Sequence, residues 1–188
     1  MTDSRQTFVE WATWFANNKE THPFNYTEGP LRMSAIGQWP IKFPVNADCS
    51  AFVTFCAWLS GMTDPNGLSY NHEGYTGTLL GNVHNGHIPQ VDVEPGDIVV
   101  YGATPGEHTA IIVEKQGANL LTVSHGEQGD PSFVWVNYPE GGNPNNYPTD
   151  GREPQTFLRL QTAVVGTVRL VPAVITSAEG TTEAMDRA

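Results

Sequence analysis

The chain has 188 residues, a length that suits one domain with a substantial core and is short for two. Its 9 basic and 20 acidic residues give a formal net charge of -11, which argues against binding to nucleic acid or to an anionic lipid surface. No apolar run approaches the roughly 18 residues of a membrane span. The charged N-terminus is unlike a signal peptide, so we expect synthesis in a cytoplasm.

The first element is a predicted helix over residues 3–19, capped by Thr2 or Ser4. Its apolar residues recur at the spacing of one helix face: Phe8, Trp11, Ala12 and Phe15. A long loop with four prolines follows over residues 23–47. Loops of this length in a compact domain usually surround a functional site, so we expect this one to line a groove.

The second helix is predicted over residues 48–60, with Asp48 as its N-cap and Gly61 as the residue that ends it. A second apolar stripe marks its buried face: Phe52, Phe55, Cys56 and Leu59. A short helix is predicted near residues 75–80.

From residue 96 the pattern changes to short β-branched and aromatic runs between turns. The predicted strands are 97–101, 108–114, 119–125, 132–136, 156–160 and 167–171. Helices followed by a meander predict an α+β fold with an antiparallel sheet. The loop 137–155 is expected to line another side of the groove. We expect one domain over residues 1–171 and an acidic, flexible tail or linker over 172–188.

The two cysteines, Cys49 and Cys56, lie seven residues apart on one predicted helix. Their Cα atoms are then about 10 Å apart, too far for a disulfide. Cys49 is the first helical residue, where free N–H groups favour the nucleophilic thiolate, although a small buried side chain is an equal alternative. Cys56 lies in the apolar stripe and is expected to pack in the core. The loop residues His84 and His87 lack the partners of a metal site, and no cofactor is predicted.

Two histidines, His108 and His125, fall on one predicted hairpin. If its turn is centred on residues 116–117, apolar residues pair with apolar ones and His108 faces His125. One imidazole then takes a thiol proton while the other orients it. A one-residue change in the loop places Gly126 opposite His108 instead, and two strand-end histidines without a partner are the alternative.

Several motifs occur in the order and spacing of one known family: residues 48–53 (DCSAFV), 95–101 (PGDIVVY), 108–113 (HTAIIV) and 121–125 (LTVSH). They resemble the nucleophile motif, the strand pair with the catalytic histidine and the next strand of NlpC-type papain-like cell-wall peptidases. The related CHAP enzymes share this layout. Residues 64–67 and 74–80 look like the variant of actinobacteria and their phages, where it is often the peptidase part of an endolysin.

The resemblance covers roughly residues 5–171 and implies a papain-like fold, with Cys49 facing His108 across a groove. It implies a catalytic set of Cys49, His108 and His125. It further implies that Asp48 and Ser50 contact the substrate amine and that Tyr26 lies near the oxyanion. Helix capping by Asp48 and Ser50 and a groove wall at Tyr26 are the alternatives. Tyr26 also precedes Cys49 by more residues than the family spacing.

The substrate implied by the resemblance is the stem peptide of bacterial peptidoglycan. A histidine in the third place favours an endopeptidase, commonly at the D-γ-glutamyl–meso-diaminopimelate bond. An N-acetylmuramoyl-L-alanine amidase or cross-bridge peptidase on the same scaffold is the alternative. A non-catalytic wall-binding or virion structural module is an alternative of another class. Access to the cell wall is expected through release by a holin, with injection with a virion or export of a bacterial protein by another route as the alternatives. A separate wall-binding domain or partner is a further expectation.

Overall fold

The computed structural model describes residues 3–126, 129–138 and 144–162, which form an α+β domain with a mostly antiparallel sheet, as predicted. Two longer helices pack against this sheet. The predicted strand 167–171 and the tail 172–188 lie outside the described residues. Within the described ranges, no helix combines the length and the apolarity needed to cross a bilayer.

Helix α1 spans Ser4–Asn17 and lies under the sheet through its apolar face. The whole predicted stripe is buried: Phe8, Trp11, Ala12 and Phe15. The predicted caps Thr2 and Ser4 are wrong, because the Asp3 side chain accepts the backbone N–H of Arg5 and takes the N-cap position.

Helix α2 spans Cys49–Leu59 and begins as predicted. The Asp48 carboxylate accepts the backbone N–H of Ala51 at 2.6 Å, which satisfies a free N–H of the first turn. Gly61 follows the helix with a φ of +64°, the conformation expected after a helix end. Every residue of α2 except Trp58 is buried, so the helix crosses the centre of the core. Helix α3, Thr76–Gly81, is the short helix predicted near 75–80.

In the described part of the chain, nine strands form two sheets. The strands are β1 (Phe24–Tyr26), β2 (Val45–Ala47), β3 (Gly86–Ile88), β4 (Ile98–Tyr101), β5 (His108–Gln116), β6 (Asn119–Gly126), β7 (Gly129–Val136), β8 (Thr149–Asp150) and β9 (Gln155–Arg159). The main sheet has the order β3-β9-β4-β5-β6-β7-β8, antiparallel except for the β7–β8 pair. Strands β1 and β2 form a separate parallel pair inside the predicted loop 23–47. Strands β1, β2, β3 and β8 have two or three residues each, too few to show an alternating pattern.

The sheet separates two apolar clusters by the alternation of its side chains. One face packs on α1 and α2 through Ile98, Val100, Ile111, Val123 and Leu158. The other face carries a smaller cluster that includes Val99, Tyr101, Ala110, Ile112 and Leu120. The face on which a strand residue lies therefore decides whether it meets α2.

The hairpin of β5 and β6 turns one residue later than predicted. Its pair nearest the turn is Gln116 with Asn119, so the turn is 117–118 and not 116–117. Gly117 has a φ of +63°, a conformation that glycine adopts without strain. The turn therefore lies one residue later in the chain than the pairing of apolar residues alone predicts.

The later turn alone shifts the strand pairing by two residues and would leave His108 and His125 on one face. A bulge after Ile112 shifts the register again, and Ala110 then pairs with Ser124. Because His108 lies two residues before Ala110, it shares a face with Ser124, while His125 points to the opposite face. The predicted pairing of His108 with His125 is therefore wrong.

Asp97 joins α1 to the sheet at the start of β4. Its side chain is fully buried, and Arg5 Nη2 lies 2.7 Å from Oδ1. Arg159 donates to the same carboxylate through Nε and Nη2 at 3.0 and 2.9 Å, and the Glu94 backbone N–H donates at 2.8 Å. Two cations and a backbone amide thus compensate one buried charge.

Replacing Asp97 with alanine is expected to lower the free energy of unfolding by about 3 kcal/mol, because two arginines lose their shared partner. Urea denaturation measures this from the midpoint at unchanged slope. The exposed Asp92 provides the matched control, and Asp92→Ala should cost less than about 0.5 kcal/mol. Equal midpoints for the two variants would contradict this role of Asp97.

Candidate active site

Cys49 is held at the junction of α2 and β5. Its side chain is buried, and the backbone N–H groups of Thr109, Ser50 and Cys49 itself lie close enough to the sulfur to lower the pKa of the thiol. Burial raises the pKa of the Cys49 thiol to about 11, the charge of Asp48 adds to this, and the three N–H groups act in the opposite direction. The thiol is therefore protonated at neutral pH, in a site that already contains donors for a negative charge.

His108 is the first residue of β5 and directly precedes Thr109, the residue that contacts Cys49. Its Nε2 lies 2.6 Å from Ser124 Oγ, and its ring stacks on Tyr101 with centroids 5.9 Å apart. Burial lowers the pKa of His108 to about 4, and the Arg152 charge acts in the same direction. The imidazole is therefore neutral at pH 7 and able to accept a proton.

The Ser124 contact decides which ring nitrogen of His108 is available. Nε2 is engaged by the hydroxyl, while Nδ1 makes no hydrogen bond to the residues that the structure describes. Cys49 and His108 lie at the same end of β5, but no hydrogen bond joins their side chains in the described contacts. Catalytic hydrogen bonds are often long without substrate and shorten in the complex. Nδ1 is thus the ring nitrogen of His108 that has no hydrogen-bond partner among the described residues.

His125 lies on the α2 side of the sheet and is fully buried. Its Nδ1 lies 2.9 Å from the Gly129 carbonyl oxygen and its Nε2 lies 3.0 Å from the Ala47 carbonyl oxygen. Both ring nitrogens therefore face acceptors away from His108. Burial lowers the pKa of His125, whereas the two carbonyl groups act in the opposite direction. The ring thereby fixes the backbone at Ala47, two residues before Cys49.

Asp48 and Ser50 form a network with Arg32 beside Cys49. Arg32 Nη1 lies 3.0 Å from Asp48 Oδ2, and Ser50 Oγ donates to Asp48 Oδ1 at 2.8 Å. Asp48 also caps α2, as predicted. Both side chains therefore have protein partners, and a substrate amine would have to share Asp48 with Arg32.

Tyr26 is brought to the site by the β1–β2 pair, in which it lies opposite Ala47. This pairing closes the long sequence gap to Cys49. The Tyr26 hydroxyl donates to Glu28 at 2.8 Å, and its ring centroid lies 5.8 Å from that of His125. Burial and Glu28 raise the pKa of Tyr26. To donate to an oxyanion, the Tyr26 hydroxyl would have to give up its hydrogen bond to Glu28.

No protein-family model matches the chain, and no curated protein matches it. Among solved structures, it is similar to the P60 domain of an antigen from M. avium subspecies paratuberculosis. The two are 18% identical, the match covers 86% of this chain and 98% of that domain, and the TM-score is 0.45.

Two site residues were not expected from the sequence. Ser124 takes the position beside His108 that was assigned to His125, because of a bulge after Ile112 that has no local signature in the sequence. Arg152 lines the same cavity as His108 and belongs to the loop 137–155 that was expected to border the groove. Within the described ranges, no three His, Cys, Asp or Glu residues gather as metal ligands.

Replacing Ser124 with alanine is expected to lower kcat/KM about tenfold, because His108 loses the hydrogen bond that fixes its ring. Steady-state cleavage of a soluble peptide measures the effect. Ser132 lies opposite Ser124 on β7, so Ser132→Ala is the matched control and should stay within about twofold of the wild type. Equal rates for the two variants would rule out a positioning role for Ser124.

Proposed function

We propose that this chain is a cysteine endopeptidase that cleaves the stem peptides of bacterial peptidoglycan. The observation that carries the proposal is the position of Cys49, at the first residue of a buried helix with its sulfur against the backbone N–H next to His108. A neutral imidazole anchored at Nε2 completes the arrangement. The motif order around these residues, which resembles NlpC-type peptidases, supports the choice of substrate class.

In the acylation step, the Cys49 thiol passes its proton to His108 Nδ1 while the sulfur attacks the scissile carbonyl carbon. Because the resting pair is neutral, proton transfer accompanies attack. The negative charge that develops on the carbonyl oxygen is stabilised by the backbone N–H of Cys49 at the helix start. This step requires Nδ1 and Sγ to come within hydrogen-bond distance when substrate binds.

The remaining steps return both residues to their starting states. The protonated His108 gives its proton to the leaving amine as the carbon–nitrogen bond breaks, which leaves a thioester on Cys49. Water then attacks the thioester carbon, His108 accepts the water proton, and the sulfur leaves and is reprotonated. Ser124 holds the ring of His108 throughout.

The remaining residues of the site act by holding the chain around Cys49 or by contacting the substrate. His125 holds the carbonyl oxygen of Ala47 and thereby the turn into α2. In this proposal Asp48 and Ser50 bind the substrate amine, and the Tyr26 hydroxyl donates to the oxyanion. Each side chain gives up a hydrogen bond or ion pair within the protein to do so. The scissile bond that we assign is D-γ-glutamyl–meso-diaminopimelate, and the site of action is the cell wall, as for an endolysin peptidase.

Mass spectrometry of soluble products identifies the bond. Wild-type protein and the Cys49→Ala variant are incubated with meso-diaminopimelate-type peptidoglycan. Fragments with a new diaminopimelate amino terminus, absent with the variant, are expected. Intact stems freed from the lactyl group would make the protein an amidase. Products that are identical for both proteins, or absent from both, would contradict a Cys49 peptidase with this substrate.

Activity is expected to persist to a lower pH than the ordinary histidine pKa of about 6.5 allows. Falling pH protonates His108 and removes the base, but burial lowers this pKa to about 4, so the base stays neutral down to that range. Initial rates of peptide cleavage between pH 4 and pH 9, with circular dichroism to verify folding, measure the acid limb. A half-maximal rate near pH 6.5 would contradict the expectation.

A further inference from the structure

A cavity of about 350 Å³ opens beside the ring of His108. Its described lining comes from β5, β6, β7 and the segment around β8, and includes Ser124, Asp130, Asp150 and Arg152. Among those lining residues, Arg152 alone carries a permanent positive charge. Asp130 is already used within the fold, since its Oδ1 accepts the Phe24 backbone N–H. The cavity thus places one cation near the catalytic base.

The Arg152 guanidinium is held in a fixed orientation. Its Nε lies 3.1 Å from both Asp150 oxygens, and its Nη2 lies 2.5 Å from Oδ2. Its Cζ lies 5.3 Å from the centroid of the Tyr101 ring. An arginine held from two sides loses little side-chain freedom when it binds a ligand.

Part of this guanidinium remains available for a ligand. The Asp150 contacts use Nε and Nη2, whereas Nη1 makes no hydrogen bond to the described residues. About half of the Arg152 side chain is exposed. The N–H groups of Nη1 and the second N–H of Nη2 form a guanidinium edge that matches the two oxygens of a carboxylate. The chemistry of this subsite therefore fits a carboxylate.

The position of the cavity shows which half of a peptide it would take. Its described lining includes His108 and Ser124 but neither Cys49 nor Asp48. In the proposed mechanism Cys49 holds the acyl half and His108 protonates the leaving amine. We infer that Arg152 binds a carboxylate of the residue that supplies the leaving amine. This inference rests on the proposed function and names a specificity-determining residue for it.

Two synthetic stem peptides test the inference. They differ only at the α-carboxyl of the residue that supplies the leaving amine, which is a free acid in one and a carboxamide in the other. The wild type is expected to favour the acid about ten- to hundredfold in kcat/KM, mainly through KM, because a charged hydrogen bond is lost with the amide. In Arg152→Gln this ratio should fall to about one, and Arg152→Lys should lie between.

Because both peptides are tested with the same variant, the acid-to-amide ratio of kcat/KM does not depend on how much of that variant is folded. The exposed Lys42 supplies the control, because Lys42→Gln removes one positive charge outside the cavity lining and should keep the wild-type ratio. A wild-type ratio of one, or an Arg152→Gln ratio equal to that of the wild type, would overturn the inference and leave the proposed function standing. Failure of the wild type to cleave either peptide would overturn both.

Discussion

Replacing Cys49 with alanine should abolish peptide cleavage while the protein remains folded. The sulfur is the atom that forms the thioester, so its loss should lower the rate by about a thousandfold or more. The fold should survive, because α2 is held by nine other buried residues and by the Asp48 cap. Product release from a stem peptide, with circular dichroism as the folding check, measures both effects.

Cys56 supplies the matched control for this prediction. It lies on the same helix, is fully buried among apolar side chains, and burial raises its pKa. Cys56→Ala should therefore keep the activity of each folded molecule and lower the free energy of unfolding by about 1 kcal/mol. Wild-type cleavage by Cys49→Ala would exclude Cys49 as the nucleophile, and inactivity of a folded Cys56→Ala would contradict a role for Cys56 in packing alone.

Replacing His108 with glutamine is the second large effect. Glutamine keeps a polar side chain near Ser124 but cannot accept the thiol proton at neutral pH. The rate should fall by about a hundred- to ten-thousandfold, the range typical of a lost general base. Without this base, only the ionised fraction of the Cys49 thiol can attack. The residual rate should therefore rise with pH toward the raised thiol pKa of about 11.

The exposed His87 on the edge strand β3 provides the control for His108. His87→Gln changes the same side chain outside the described site and should leave kcat/KM within about twofold. Rates measured at several pH values distinguish the two variants. A His108→Gln rate equal to that of His87→Gln would show that His108 is not the base.

The sequence predicted those parts of the structure that depend on neighbouring residues. The start of α2 at Asp48 and its end at Gly61 follow from local capping chemistry, and the burial of the apolar stripes follows from helical periodicity. The position of Cys49 as the first residue of α2 was predictable for the same reason, because it depends only on where the helix begins.

The sequence could not set features that depend on distant or irregular pairing. The bulge after Ile112 has no local signature, and its one-residue shift replaced His125 by Ser124 beside His108. The parallel β1–β2 pair, which brings Tyr26 near Cys49, joins segments about 20 residues apart and is too short for a pattern. Arg152 and Tyr101 are far apart in the chain, and they come into contact only when the sheet folds.

The central claim is that Cys49 forms a thioester with the acyl half of a stem peptide. An activated ester of that acyl half acylates a cysteine peptidase faster than water releases the product, so the intermediate accumulates. Intact-protein mass spectrometry after an acid quench, followed by peptide mapping, measures it directly. We predict a mass gain of one acyl group on Cys49 that is absent in Cys49→Ala. No adduct, or an adduct that persists in the variant, would contradict the account.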